Sequence, residues 1–253
     1  MNDIPGSRFV QQITWADVPH LSQEQKDRLY AAIPPYQRDA RTKGVPQLGS
    51  GAIYPVSEDM VICDPFSIPD YFPQCYALDV GWKVTAGLWG AHDPNTDILY
   101  LYSEHYVGET EPPIHAAAIR ARGTWIPGVI DPAARGRGQR DGQRLMNDYQ
   151  QLGLDTLTAS ENALEAGIYE VWTRLATGRL KAFKTLSNWR QEFRLYQRDE
   201  KGRVKDGQPD HLMDAMRYLV LSGLARAVVR PPSMWTTGKG QMQGHTSEYD
   251  PLA

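Results

Sequence analysis

Short blocks of apolar residues begin at Gln74 and alternate with turn residues. Three such blocks predict strands over residues 75–80, 85–91 and 98–106, because each is short, apolar and bounded by turn-forming residues. The connections are only a Gly-Trp pair and an Asp-Pro-Asn turn, too short for a crossover. The pattern therefore predicts an antiparallel meander of three strands.

After the third strand the pattern becomes helical and then alternates between helix and strand. Pro112-Pro113 favours a helix start, since proline at the first helical position loses no hydrogen bond. Helices are predicted over 112–122, 139–152, 161–177, 187–196 and 210–228, and further strands over 125–130 and 156–159. The order β-β-β-α-β-α-β-α differs from a doubly wound sheet. It resembles the ribonuclease H-like α/β fold, a mixed sheet of three antiparallel and then parallel strands flanked by helices.

The two ends of the chain lack this regular pattern. Residues 1–70 are rich in Pro, Gly, Gln and Asp, and Ser22 with Gln25 resembles a capping box opening one helix over 23–32. We therefore expect a linker over 1–70, a compact domain over 71–229, and a disordered tail over 230–253, which has no periodicity.

Composition is that of an ordinary globular protein, with 253 residues, 41% hydrophobic and 23% charged. No apolar run approaches the roughly 18 residues of a membrane span, and the first residues do not resemble a secretory signal. Cys63 and Cys75 are the only cysteines and have no zinc-ligand spacing. The net charge of −3 does not favour nucleic-acid binding, but basic residues cluster over 135–140, 179–184 and 198–205.

Carboxylates stand at positions where desolvation is costly. Asp79 ends an apolar strand, in ALDVGW, and Asp131 ends another, in VIDPAARG. Each also has a structural interpretation, Asp79 as a turn cap and Asp131 as a helix N-cap before Pro132. Asp210 and Asp214 share one face of the last helix, and only Asp210 is favoured by the helix dipole.

In a ribonuclease H-like sheet the strands that carry Asp79 and Asp131 would be neighbours, and the last helix would cross near their ends. Three converging carboxylates require a counter-cation, and Mg²⁺ or Mn²⁺ prefers such oxygen ligands. Two such ions can activate water and stabilise the leaving oxygen of a phosphodiester. The pattern thus predicts two-metal hydrolysis by Asp79, Asp131 and Asp214.

Five strings in register, ARTKGVPQLGSGAIYPV, ALDVGW, VIDPAARG, YQRDEKGRVKDGQ and DHLMDAMRYLV, resemble the carboxy-terminal half of tailed-phage large terminases, over about residues 14–225. The resemblance implies a nuclease domain whose metal ligands are Asp79, Asp131 and Asp214, with Asp210 or His211 as a nearby accessory. It also implies action in the bacterial host cytoplasm, cutting concatemeric double-stranded DNA before and after packaging. The implied partners are that DNA, the terminase ATPase domain, the small terminase subunit and the portal protein.

The sequence contains no GxxxxGK[ST] phosphate-binding motif, and the segment from Thr237 to Gly240 lacks its spacing. Residues 14–50 are similar to the place where the family's ATPase domain ends. We therefore expect a nuclease domain without ATPase activity, monomeric when isolated.

Basic residues near the acids are candidates for phosphate contacts. Arg135, Arg137 and Arg140 punctuate a glycine-rich loop after Asp131, and Lys83 follows Asp79 by four residues. A solvated loop and an ordinary turn lysine are the structural alternatives. Trp82, Trp89, Trp125, Trp172 and Trp189 are expected in packing rather than in base stacking.

Other functions stay open from sequence alone. A nuclease-like module could dock on portal and DNA without catalysis, and a ribonuclease H-like resolvase would use similar acids. Asp79-Val-Gly81 with Thr85 also faintly resembles the phosphate hairpin of sugar-kinase-like phosphotransferases. That class needs a second related domain and an adenosine site, and neither is evident.

Overall fold

The computed structural model describes residues 15, 21–32, 42, 51–131 and 141–234, without the side chains of 141–144. Its centre is a seven-stranded sheet in the order β1-β7-β4-β3-β2-β5-β6. The strands are β1 (Ile62–Cys63), β2 (Gln74–Val80), β3 (Thr85–Asp93), β4 (Ile98–Val107), β5 (Gly128–Ile130), β6 (Leu157–Ala159) and β7 (Leu180–Phe183). The predicted antiparallel meander is confirmed as β2, β3 and β4. The other pairings are parallel: β5 pairs with β2 and β6, and β7 pairs with β4 and β1.

Helices cover both faces of the sheet. They are α1 (Gln23–Ala32), α2 (Glu58–Val61), α3 (Pro112–Arg120), α4 (Asp141–Gln151), α5 (Leu164–Ala176), α6 (Ser187–Leu195) and α7 (His211–Tyr218). Alternation along β2 divides the core, since Cys75 and Ala77 pack with α5, α6 and α7, whereas Tyr76 and Leu78 pack with α3 and α4. We call these two sides the α7 face and the α3 face.

Two short strands were not predicted. β7 lies within the basic cluster at 179–184, where Lys181 interrupts the apolar pattern, and β1 has only two residues. Both segments become strands through hydrogen bonds to neighbouring strands, since β7 lies between β4 and β1 and pairs with each of them. The predicted strand over 125–130 is shorter than expected and begins after Pro127, which has no N–H to donate to a neighbouring strand.

Part of the expected linker packs on the domain. Ile53, Tyr54 and Val61 are buried in the core of the α7 face, and β1 pairs with β7. The predicted last helix is regular only to Tyr218 and continues as a wider π turn over Leu219–Gly223 and a 3₁₀ turn over Leu224–Arg226. No helix within the described ranges has the length and hydrophobicity to cross a membrane.

Candidate functional site

Asp79 and Asp131 leave the sheet side by side. Leu78 of β2 is paired in parallel with Ile130 of β5, so the next residue of each strand is an aspartate. The backbone N–H of Asp131 donates to the carbonyl oxygen of Leu78 at 3.1 Å. Parallel strands lie about 4.8 Å apart. The sequence expectation that these two strands are neighbours is therefore confirmed.

A bulge in β4 turns further polar side chains toward the same face. Trp89 lies opposite Ser103 and Gly90 opposite Leu101, so Tyr102 is one extra residue in β4. An extra residue reverses the alternation of all side chains beyond it. Glu104 consequently contacts α6, on the α7 face, instead of pointing toward α3.

Two carboxylates fix the starts of the helices that build the site. Glu104 accepts hydrogen bonds from the backbone N–H groups of Asn188 at 3.0 Å and Trp189 at 2.9 Å, in the first turn of α6. Glu192 of α6, only 2% exposed, accepts from the N–H of Leu212 at 2.6 Å, in the first turn of α7. Carboxylates at helix N-termini satisfy free N–H groups and favour the helix dipole. The orientation of α7 over the sheet therefore depends on β4 through α6.

His211, the first residue of α7, meets the candidate acid on β2. Its Nδ1 lies 2.7 Å from Oδ2 of Asp79, whose side chain is 15% exposed. This hydrogen bond raises the pKa of His211, although burial opposes the shift. An ionised carboxylate can only accept, so we place a proton on Nδ1.

Asp210 and Asp214 bring negative charge to the same place. Burial, followed by the charge of Asp214, raises the pKa of Asp210 to about 6. Burial also raises the pKa of Asp214, and the charges of Asp79 and Asp131 add to the rise while Arg217 opposes it. The aspartates named from sequence thus lie close enough to influence one another.

Three further residues support this site. Glu104 and Glu192 were not predicted from sequence, and Arg217 was named only as part of the DHLMDAMRY pattern, without a role. Arg217 pairs with Asp214, Nη2 to Oδ1 at 2.9 Å. Its position three residues after Asp214 on a helix could have revealed the pair. No local pattern could have revealed the two glutamates, because their partners lie 84 and 20 residues away.

The donor set fits a hard divalent cation, since carboxylate oxygens are the ligands that Mg²⁺ and Mn²⁺ prefer. Burial is the main cause of the raised pKa values of Asp210 and Asp214, and the neighbouring aspartate charges add to it, a repulsion that such a cation would relieve. Within the described ranges, however, no three His, Cys, Asp or Glu side chains are already arranged to hold a metal ion. The pairs of Asp79 with His211 and of Asp214 with Arg217 each engage one carboxylate oxygen, Oδ2 of Asp79 and Oδ1 of Asp214, and these contacts do not use the second oxygen of either group.

Of the residues predicted to contact phosphate, only Lys83 lies among the residues that the structure describes. Lys83 is exposed in the turn between β2 and β3, whereas Arg135, Arg137 and Arg140 lie outside the described residues. In the same turn Trp82 is 63% exposed, so of the two expected kinds of packing, in the core or on a hairpin, only the second applies to it. Trp89 and Trp189 are fully buried, as expected.

Comparisons with known proteins agree with this architecture. No family model matches the chain. The large terminase subunit of Salmonella phage P22 is 31% identical over 221 residues, which make up 84% of this chain and 44% of that protein. The chain spans about half the length of the curated relatives it matches.

Solved structures of large terminase nuclease domains are similar in fold to this chain. The P22 large terminase nuclease domain superposes with a TM-score of 0.65 at 28% identity, covering 72% of this chain and 96% of that domain. The g2p large terminase nuclease domain of bacteriophage SPP1, solved with bound Mn, shares the fold with a TM-score of 0.50 at 18% identity, covering 64% and 96%. The predicted fold class, a ribonuclease H-like mixed sheet flanked by helices, is confirmed.

Proposed function

Because this chain is homologous to the nuclease domain of phage large terminase subunits, we propose that it is the DNA-cutting domain of a packaging terminase. It would hydrolyse concatemeric double-stranded DNA when packaging begins and when it ends. The observation that carries this proposal is the site at one end of the sheet. There Asp79 and Asp131 end adjacent parallel strands, and Asp214 adds its charge from α7.

Asp79, Asp131 and Asp214 would hold Mg²⁺ or Mn²⁺, in our proposal two ions, with Asp210 or His211 as an accessory group. The manganese bound to the SPP1 domain supports a divalent cation for a domain of this fold. When bound, such ions supply an activated water and stabilise the leaving oxygen of the phosphodiester. The chain's own contribution is positional, because α6 and α7 are fixed by Glu104 and Glu192.

His211 orients Asp79 and keeps a proton on the shared side of its ring. Arg135, Arg137, Arg140 and Lys83 would contact the DNA backbone without reading its sequence.

For the domain organisation we propose a nuclease domain over 71–229, to which residues 51–70 contribute the packed pieces described above. Residues before it would adjoin the terminase ATPase domain, and residues 230–253 would form a tail. The other proposed partners are double-stranded DNA, the small terminase subunit and the portal protein, in the host cytoplasm. The isolated domain would be monomeric and would not hydrolyse ATP.

The test is cleavage of supercoiled plasmid by the purified chain with Mn²⁺, Mg²⁺ or EDTA. We expect nicked and linear products only with a divalent cation, and a loss of at least about 10³-fold in rate for Asp79→Ala, since removing a core catalytic group costs on this order. Asp155→Ala, at an exposed acid between α4 and β6, is the control and should cut like the wild type. Cleavage in EDTA, or full cleavage by Asp79→Ala, would refute the proposal.

One observation favours a second candidate, a non-catalytic module that docks on portal and DNA. It is the absence, within the described ranges, of three ligand side chains already placed for a metal. Retained DNA binding without cleavage under any cation would favour this candidate.

A further inference from the structure

Arg217 is buried directly behind one of the proposed ligands. Its side chain is 3% exposed, and both Nη2, at 2.9 Å, and Nε, at 3.2 Å, donate to Oδ1 of Asp214. Neither of these hydrogen bonds goes to Oδ2. The arginine thus engages one oxygen of the carboxylate and leaves the other for a different partner.

Residues other than Asp214 also fix the position of Arg217. Nη1 donates to Oδ1 of Asn162 at 3.2 Å, and the guanidinium carbon lies 4.5 Å from the centre of the Tyr218 ring. Gly167 of α5 makes room for the arginine stem, because a Cβ at that position would lie 2.6 Å from Cγ of Arg217. A pocket shaped by three neighbours indicates that the arginine stays in place whether or not a cation reaches Asp214.

The pocket holds the positive charge of Arg217 beside a group of aspartates. Asp79 hydrogen-bonds to His211 at the start of α7, and Asp131 directly follows the strand that pairs with the strand of Asp79. Asp210 and Asp214 lie in and beside the first turn of α7, and among the described residues the buried Arg217 pairs with Asp214. A buried carboxylate without a compensating partner is strongly destabilising. Before a divalent cation binds, the site therefore needs a positive charge supplied by the protein.

We propose that Arg217 is a positioning residue with two roles, fixing Asp214 through Oδ1 for cation binding and serving as the internal counter-charge of the aspartate cluster. This inference rests on the proposed function for the identity of the ligand, a divalent cation. The counter-charge role can be measured without any metal, so the two can fail separately.

The counter-charge role is tested by a double-mutant cycle in EDTA with the full chain. Arg217→Met should lower Tm by roughly 10 °C, since it leaves a buried carboxylate uncompensated. Adding Asp214→Asn should recover a large part of that loss, because the uncompensated charge is then gone. Additive losses in the double variant would overturn the counter-charge role. If Arg217→Met does not fold in EDTA, folding on addition of Asp214→Asn supports the role and failure to fold with it counts against it.

The positioning role is tested by Mn²⁺ titration, followed by Tm and by binding calorimetry. Arg217→Lys keeps the charge but loses the two-point contact, so its Mn²⁺ affinity should fall by about 10-fold, the usual loss when a group behind a metal ligand is changed. Arg217→Met should gain more Tm from saturating Mn²⁺ than the wild type does, because the cation then replaces the missing charge.

Arg198→Met is the matched control. Arg198 is 9% exposed in its side chain and pairs with Glu165 at 2.8 Å, outside the aspartate cluster. Its loss of Tm should be the same in EDTA and in Mn²⁺. If Arg217→Lys binds Mn²⁺ like the wild type, the positioning role is overturned. If Arg217→Met gains no more from Mn²⁺ than Arg198→Met, the cation does not replace the charge of the arginine, which counts against the counter-charge role. If the wild type neither binds Mn²⁺ nor cuts DNA, the proposed function fails, and the EDTA cycle still decides the counter-charge role.

Discussion

Each face of the sheet holds an arginine that is at least half-buried, but in opposite electrostatic surroundings. On the α7 face Arg217 pairs with Asp214 inside a cluster of acids. On the α3 face Arg122 donates to neutral groups, the hydroxyl of Ser103 and two backbone carbonyl oxygens, and lies 4.3 Å from the centre of the Trp89 ring. Arg217 is buried and Arg122 is half-buried, so withdrawal of an arginine from solvent does not by itself mark the functional site.

Shifted pKa values separate the two faces more clearly. On the α3 face burial lowers the pKa of Arg122, and it lowers the pKa of His105 to about 4. On the α7 face burial and like charges raise the pKa of Asp210 to about 6. Desolvation favours the neutral form on both faces, and on the α3 face the positive charges of His115 and Arg122 lower the pKa of His105 further. On the α7 face the groups that repel one another are negative. That repulsion is what a bound cation can relieve, and it distinguishes a candidate catalytic site from a structural core.

The largest effect expected on the α3 face is that of Arg122→Met. It removes three part-buried hydrogen bonds, to Ser103, Ala118 and Glu104, which should cost about 3 kcal/mol of unfolding free energy. Urea unfolding in EDTA and in Mn²⁺ should give the same loss, because no acid depends on this arginine. If Mn²⁺ restored the unfolding free energy of Arg122→Met, the proposed difference between Arg122 and Arg217 would be wrong.

The next largest effect is a pH dependence of opposite sign on the two faces, measured in EDTA. The folded pKa of His105 lies below its ordinary value of 6.5, so the unfolded chain binds more protons between pH 6.5 and about 4. Its contribution is complete above pH 6.5 and is lost as pH falls to about 4. His105→Gln should therefore reduce the acid-induced loss of unfolding free energy by about 2 kcal/mol.

Asp210 should act in the opposite sense, because its folded pKa lies above the ordinary value of 3.8. The folded chain then binds more protons between pH 3.8 and about 6, so this group adds stability as pH falls through that window. Asp210→Asn should remove that gain and make the acid-induced loss steeper. Urea midpoints from pH 4 to pH 8 decide the matter, and two variants that shift the profile in the same direction would contradict the comparison.

Local sequence pattern was sufficient for the meander and for the helices that cover it, because each has a clear period. It failed at β7 and β1, whose few residues become strands only by pairing with a neighbour. For the site, the strand-end positions of Asp79 and Asp131 were readable because apolar blocks end there. The bulge at Tyr102 has no local sign, and it decides that Glu104 reaches α6. Long-range capping of this kind is a property of the fold and not of any segment.

The smallest expected effect concerns which part of the molecule meets DNA. Lys83 is exposed in the turn four residues after Asp79, whereas Arg120 is exposed at the end of α3 and lines a cavity beside Gln74, at the opposite end of β2. If the DNA backbone crosses the acid end, Lys83→Ala should weaken duplex binding roughly 3-fold and reduce the slope of log affinity against log salt by about 1. Arg120→Ala should leave both unchanged. Anisotropy titrations of a labelled duplex at several salt concentrations, with cleavage blocked by Asp79→Ala in every protein, measure these quantities. A slope that falls with Arg120→Ala and not with Lys83→Ala would indicate that DNA binds at the other end of the sheet. The aspartates would then lie away from the DNA that they are proposed to cut.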